Sequence, residues 1–262
     1  MEIISLHLQT AIDAAKMGAK VATDYYKMEA ASLEISQKKD KSLVTKADLV
    51  TENAIKEHIR TVFPNVEFIT EENDNTTKSF EDVWIIDPID GTREFSRGID
   101  LWGINIAYAK NKEIVVGVSY FPALNILIYA EKDKGAFVNG NVVQVAKTDS
   151  IAKSLLGYSH INYFTNDERK FLFKLIENVN STRSFVSCYS AYCVATGKLD
   201  FFLASSHNRI WDIAPYICII EEAGGMVTDW EGNKMKIDHD VSPVLASNGI
   251  LHKVALEILS KT

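Results

Sequence analysis

The sequence predicts a mixed α and β fold. Residues 102–138 read as consecutive strands separated only by turns, the pattern of an antiparallel meander. From about residue 150 strand-like and helical segments alternate instead. Ahead of both, two segments carry apolar residues at helical spacing. Two lobes are expected, residues 1–150 and 151–262, with no flexible linker between them.

Taken in order, residues 3–28 place Leu6, Ala11, Ala14, Ala15, Ala19, Val21, Ala22 and Tyr25 near one helical face, so an amphipathic outer helix is expected. Residues 36–46 are polar and charged and read as a loop. A second helix is predicted from about Asp48 to Val62, with Leu49, Ala54, Ile55, Ile59 and Val62 inward, ended by Phe63-Pro64. Val66 to Ile69 is a short strand, and Thr70-Glu71-Glu72-Asn73 follows; on spacing alone this reads as a solvated acidic loop. Leu101 to Ala109, Ile114 to Tyr120 and Ile126 to Glu131 form the meander, and a hairpin turns around Asn139-Gly140-Asn141. Ser154 to Tyr158, Phe185 to Val186, Asp200 to Leu203, Val227 and Val244 to Ala246 are strands. Helices cover 167–178, a small-residue and aromatic stretch ending at Gly197, Asp212 to Ala223 closed by Gly224-Gly225, and Leu251 to Leu259.

The chemistry is centred on Trp84-Ile85-Ile86-Asp87-Pro88-Ile89-Asp90-Gly91-Thr92-Arg93-Glu94-Phe95. An apolar strand delivers Asp87 at its end, and Pro88, which cannot donate to a sheet ladder, stops it. Gly91 permits a tight turn and close backbone approach. Thr92 suits an N-cap, which would start a helix with free amides beside the acids. Two carboxylates, the Ile89 carbonyl and exposed amides suit hard cations together with a phosphate.

Composition bounds the rest. The 262 residues are 47% hydrophobic and 24% charged, ordinary for a globular chain with a sizeable core. A net charge of −7 argues against a nucleic-acid-binding surface, though not against phosphate substrates, because bound cations reverse the local field. Cys188, Cys193 and Cys218 have no zinc spacing and read as small buried hydrophobes, reduced in a cytoplasmic protein. The six histidines are scattered and read mostly as surface residues. No signal peptide and no membrane-spanning run is read.

WIIDPIDGTREF closely resembles the first signature of the inositol monophosphatase family, magnesium-dependent phosphatases of small phosphate monoesters. The second signature, WD leading into a helix that ends in EAGG, is matched by Trp211-Asp212 and Glu222-Ala223-Gly224-Gly225. A KxDxxLVTxAD pattern is matched from Lys38 to Asp48, and a paired-glutamate motif by Glu71-Glu72. The resemblance covers nearly the whole chain and implies a layered αβαβα sandwich of the inositol monophosphatase and fructose-1,6-bisphosphatase type. It further implies two or three Mg²⁺ ions: Glu71, Asp87 and the Ile89 carbonyl at one, Asp87, Asp90 and Asp212 at a second, and a third that shares Glu71. Thr92 with Asp48 resembles the pair that polarises an attacking water, so catalysis falls to Asp48, Thr92 and Glu71. Gly91, Thr92, Lys38 and Asp212 are implied on the substrate side. Lithium sensitivity and a homodimer belong to the same resemblance.

The substrate side departs from the family pattern. The glutamate usual before WD in inositol phosphatases is missing from Ala204 to Ile210, which leaves Ser205, Ser206, His207 and Arg209 as candidate contacts. The Gly-[Ser/Thr]-Ala-Ala segment expected near residue 187 is replaced by Phe185-Val186-Ser187-Cys188-Tyr189. Pro215 stands where a small residue is common, and reads as a tolerated first-turn proline. Arg93-Glu94-Phe95 resembles the relative that removes the 3′-phosphate of adenosine 3′,5′-bisphosphate. Three readings follow: a Mg²⁺-dependent phosphatase, most of all of inositol monophosphate; a 3′(2′),5′-bisphosphate nucleotidase on the same scaffold; or a non-catalytic metal- or phosphate-binding regulatory protein.

Overall fold

The structure is a computed structural model that describes residues 4–26, 28, 35–37, 43–72, 80–237 and 243–260. Helix α1 (Leu6–Tyr26) is followed by the paired two-residue strands β1 (Ser36–Gln37) and β2 (Leu43–Val44), then α2 (Lys46–Val62). Strands β3 (Glu67–Thr70), β4 (Asp82–Asp90), β5 (Gly103–Lys110), β6 (Glu113–Phe121), β7 (Ile126–Glu131), β8 (Ala136–Val138) and β9 (Asn141–Val143) form one sheet in chain order. Only β3 and β4 run parallel in it; the remainder is the expected antiparallel meander. A four-residue helix α3 (Thr92–Phe95) separates β4 from β5.

The second sheet contains β10 (Leu155–Tyr158), β11 (Ser181–Ser184), β12 (Phe201–Ala204), β13 (Met226–Asp229) and β14 (Val244–Ser247), in the order β11-β10-β12-β14-β13. The helices among them are α4 (Asn166–Ile176), α5 (Ser187–Ala195), α6 (Ile210–Glu222) and α7 (His252–Ser260).

Strand alternation sorts these elements into layers. Trp84, Ile86, Ile104, Ile106 and Val118 point from one face of the first sheet onto α1 and α2. Val83, Ile85, Ala107, Phe121 and Ala130 point from the other face onto α5 and α6. Those two helices also meet Phe202, Ala204, Val227 and Ala246 of the second sheet, while Phe201, Leu203 and Leu245 face α4 and α7. The result is a five-layer αβαβα stack. Helix α6 is buried nearly all round (Ile213, Ala214, Tyr216, Ile219, Ile220), as a helix between two sheets must be. Its approach to β6 is so close that a Cβ on Gly117 would stand 2.1 Å from the Pro215 carbonyl oxygen.

Several expectations need correction. Strand β4 does not stop at Pro88. Its register shifts between the pairs Asp87–Asn105 and Asp90–Gly103, and Pro88 sits in that bulge, where no ladder N–H is required. Helix α2 begins at Lys46, because Thr45 caps it and Asp48 closes a capping box. Leu49 and Val62 are exposed; the inward face carries Ala47, Asp48, Thr51, Glu52, Ile55 and Ile59. Thr92 is not an N-cap but the first helical residue after Gly91. Residues 185–186 are not a strand; β11 lies just before them. Pro215 is in the second turn of α6 rather than the first, since that helix starts at Ile210. Among the described histidines His252 alone is buried; His160 is exposed, and His7, His58 and His207 are half-buried, His7 stacking on Phe63 and Tyr108. All three cysteines are buried and free, as read from the sequence. No helix among the described residues is long and apolar enough to cross a membrane.

Candidate active site

A cleft of about 930 Å³ is lined by Glu71, Asp87, Ile89, Asp90, Gly91, Thr92, Arg209 and Asp212, together with Arg93, Glu94, Ser159, His160, Tyr163, His207 and Asn208. Three elements supply the acids. Glu71 follows β3, its amide bonded to Ile86 O at 3.3 Å. Asp87 and Asp90 flank the bulge of β4. Asp212 is the third residue of α6, held where the middle helix layer enters the cleft. Gly91 adopts φ +93°, and a Cβ there would lie 3.1 Å from Leu101 O and 3.2 Å from Val186 Cγ2, so the turn between β4 and α3 requires glycine.

In four carboxylates one oxygen is tethered to a backbone N–H. Asp48 Oδ2 accepts from Thr45 N at 2.7 Å and from the Thr45 hydroxyl at 2.6 Å. Asp87 Oδ1 accepts from Ile89 N at 3.1 Å, and Asp212 Oδ2 from Arg209 N at 2.7 Å. Asp90 Oδ2 accepts from Cys188 N at 3.1 Å and from Asn105 Nδ2 at 3.1 Å. Such tethers fix carboxylate orientation before any ligand arrives.

Asp48 itself is fully buried and lies behind Thr92. The single hydroxyl proton of Thr92 has two acceptors in reach, Ile89 O at 3.2 Å and Asp48 Oδ1 at 3.5 Å.

The electrostatics follow from crowding of like charge in a buried place. Burial, then Glu71, Asp90 and Asp212, push the Asp87 carboxyl well above the usual carboxylate range. Asp90 is raised in the same way by burial and Asp212. Asp212 is pushed up to about 7 by burial and Glu71, partly offset by the Arg209 amide. Without a cation this crowding disfavours the ionised forms of Asp87, Asp90 and Asp212.

The donor set is all hard oxygen, which fits Mg²⁺. Cys188 adjoins Asp90, and burial and then Asp90 push its thiol up. Among the described residues no group of three or more His, Cys, Asp or Glu side chains is already placed to hold a metal ion.

Most of the site residues read from the sequence therefore converge. Ser205 does not line the cleft: it is buried, and its hydroxyl accepts from His207 N at 3.3 Å. Ser206 is exposed and gives its amide to Glu168 Oε1 at 2.8 Å. Lys38 lies outside the described residues.

Sequence reading missed several contributors. Glu52, buried in α2, accepts from Glu72 N at 3.0 Å and so holds the turn that carries Glu71. Arg93 Nε donates to Tyr163 OH at 3.1 Å, and Tyr163 stacks on His207 with centroids 4.2 Å apart. Ser159 Oγ and Asn208 Nδ2 are buried and lack a hydrogen-bond partner among the described residues. Asn105 had one visible signal, an amide between two isoleucines in an apolar strand.

A sequence model of the inositol monophosphatase family matches residues 5–262. The chain belongs to that family. As a family member it is a phosphomonoesterase, from a family whose enzymes depend on Mg²⁺. The chain is 33% identical to a fructose-1,6-bisphosphatase/inositol-1-monophosphatase of Thermotoga maritima, over 84% of each chain. It is 34% identical to a histidinol-phosphatase of Chlorobaculum parvum, over 88% of each. The crystal structure of the extragenic suppressor protein suhB from Bartonella henselae superimposes with a TM-score of 0.89 at 27% identity, covering 98% of this chain and 99% of that one. The inositol monophosphatase fold thus accounts for the five layers and for the cleft at the junction of β4, α3 and α6.

Proposed function

We propose that this phosphomonoesterase hydrolyses inositol monophosphate or a closely similar polyol phosphate, using two or three Mg²⁺ ions. The observation that carries the reading is the convergence of Glu71, Asp87, Asp90 and Asp212 on one cleft, with the Thr92 hydroxyl backed by Asp48. Glu71, Asp87, Asp90, Asp212 and the Ile89 carbonyl would hold the ions. Bound there, Mg²⁺ neutralises phosphate oxygens, acidifies water and stabilises a leaving alkoxide.

The chain's own part is orientation and proton handling. Thr92 Oγ1 accepts a hydrogen bond from the attacking water while its own proton points to Asp48 Oδ1. Asp48 Oδ2 is engaged by Thr45, and Oδ1 is the oxygen that faces Thr92. The Gly91 and Thr92 amides lie beside the acids for phosphate oxygens. The water attacks phosphorus directly while the P–O bond to the alcohol breaks; the attacking water's proton leaves to solvent and the departing alkoxide takes one from a second water, with no covalent phosphoenzyme.

A second reading, a 3′(2′),5′-bisphosphate nucleotidase, is favoured by one observation. Arg93 is held in the cleft by Tyr163, whose ring stacks on His207. A guanidinium beside an aromatic surface suits a second phosphate and a base.

Phosphate release with Mg²⁺ from inositol 1-phosphate, adenosine 3′,5′-bisphosphate, fructose 1,6-bisphosphate, histidinol phosphate and NADP separates these readings. A preference for the inositol ester is expected. Preference for the adenosine bisphosphate moves the assignment to the nucleotidase and makes Arg93 the first residue to replace. Turnover of none, with Mg²⁺ bound, would leave a regulatory protein. Lithium inhibition, a homodimeric mass in solution and a cytoplasmic location with reduced thiols complete the proposal.

A further inference from the structure

We propose that Asn105 is a positioning residue: its side-chain amide fixes which oxygen of Asp90 faces the cleft, and so sets the affinity of the site for its divalent cation. The inference rests on the cation reading given above.

Asn105 stands in the middle of β5 between the buried Ile104 and Ile106 and is itself fully buried. It lies directly opposite Asp87 on one side and Ser119 on the other. Directly opposed residues share a face, so Asp87, Asn105 and Ser119 make a polar row on the face that packs against α5 and α6. Ser119 is accounted for by structure alone, because it accepts the Tyr216 hydroxyl at 2.6 Å. Asn105 is different. Its Nδ2 donates to Asp90 Oδ2 at 3.1 Å, while its Oδ1 is buried with no hydrogen-bond partner among the described residues.

The orientation of this amide is settled by chemistry. Asp90 Oδ2 also receives the Cys188 backbone N–H at 3.1 Å, and a backbone N–H can only donate. With Asp90 ionised, as a bound cation requires, Oδ2 can only accept, and the group facing it from Asn105 is then the NH₂ end. Two donors, from β5 and from α5, converge on the same oxygen. Asp90 lines the cleft, so Oδ1 is the atom left to meet a cation. A buried carbonyl without a partner is unfavourable, and a leucine of similar volume would avoid it. Asparagine at this position is thus explained by what its other end does to Asp90.

The test is Mg²⁺ binding by calorimetry to the full chain, alongside thermal unfolding of the metal-free protein and steady-state kinetics over a range of Mg²⁺. The variants are Asn105→Leu, which removes both polar atoms, and Asn105→Ser, which keeps a shorter donor. The expected result is that Asn105→Leu binds Mg²⁺ about tenfold or more weakly, while its metal-free unfolding midpoint is unchanged or higher. Asn105→Ser falls between it and the parent, and KM for the phosphate ester at saturating Mg²⁺ stays as in the parent. Unchanged Mg²⁺ affinity in both variants, with or without a lowered unfolding midpoint, would overturn the inference while leaving the cation reading standing. Should Asn105→Leu fail to fold, unchanged affinity in Asn105→Ser alone overturns it. No Mg²⁺ binding by the parent chain would overturn the cation reading itself, and the inference with it.

Discussion

At residue scale the site rests on carboxylates whose two oxygens have different jobs. Asp48 shows the division most plainly: Oδ2 closes the cap of α2, and Oδ1 faces Thr92. Two replacements separate the jobs. Thr92→Val removes only the hydroxyl, and kcat is expected to fall by about 10²- to 10⁴-fold with the unfolding midpoint little changed. Asp48→Ala is expected to lose comparable activity and, in addition, about 1 kcal/mol of stability through the broken cap, measured by urea unfolding. Asp87 shows the opposite relation between stability and function. Its burial among Glu71, Asp90 and Asp212 opposes ionisation. Asp87→Asn is expected to abolish Mg²⁺-dependent turnover while stabilising the metal-free protein by about 1 kcal/mol. A lower unfolding midpoint for that variant without metal would contradict this account.

At the scale of elements, the contact of α6 with β6 sets where Asp212 stands. Gly117 lets the Pro215 carbonyl lie against the strand, and no side chain fits there. Gly117→Ala is expected to destabilise the fold by about 1–3 kcal/mol and to raise the Mg²⁺ concentration needed for half-maximal activity, since α6 must shift with Asp212 on it. The same contact shows what a sequence can reveal. Strands β4 to β7 were legible from apolar or alternating runs and turn chemistry, and Asp87 and Asp90 from their places after a strand, whereas Asp212 alone reads as a helix N-terminal acid and joins the site only through the family resemblance. Strand β11 was not legible: Ser181, Thr182, Arg183 and Ser184 carry no apolar face, and only backbone pairing with β10 makes them a strand. Helix α2 was placed two residues late because Asp48 caps from inside the helix rather than opening it. Asn105, Glu52 and Tyr163 act through partners far off in the chain, which no local pattern encodes.

At the scale of the whole molecule, a buried histidine ties the second sheet to pH. His252 bridges β13 and β14, with Nε2 2.9 Å from Thr228 Oγ1 and Nδ1 2.7 Å from Ser247 Oγ. Thr228 gives its own proton to Asp229 O, so it accepts from Nε2–H. Ser247 accepts the Gly249 amide and donates to Nδ1, which holds the ring neutral. Burial lowers His252 from 6.5 to about 4. Between those values the unfolded chain binds the proton and the folded one does not. This contribution is therefore complete above pH 6.5 and lost as pH falls towards 4. Unfolding free energies measured across that window should show the slope, and His252→Gln should flatten it. The layer order has a consequence in time. Glu71, Asp87 and Asp90 come from the first sheet to be synthesised, whereas Asp212 rides on a helix that is held in place only once both sheets close over it. A chain not yet extended to α6 carries Glu71, Asp87 and Asp90 but lacks Asp212, and is expected to be inert until that helix docks.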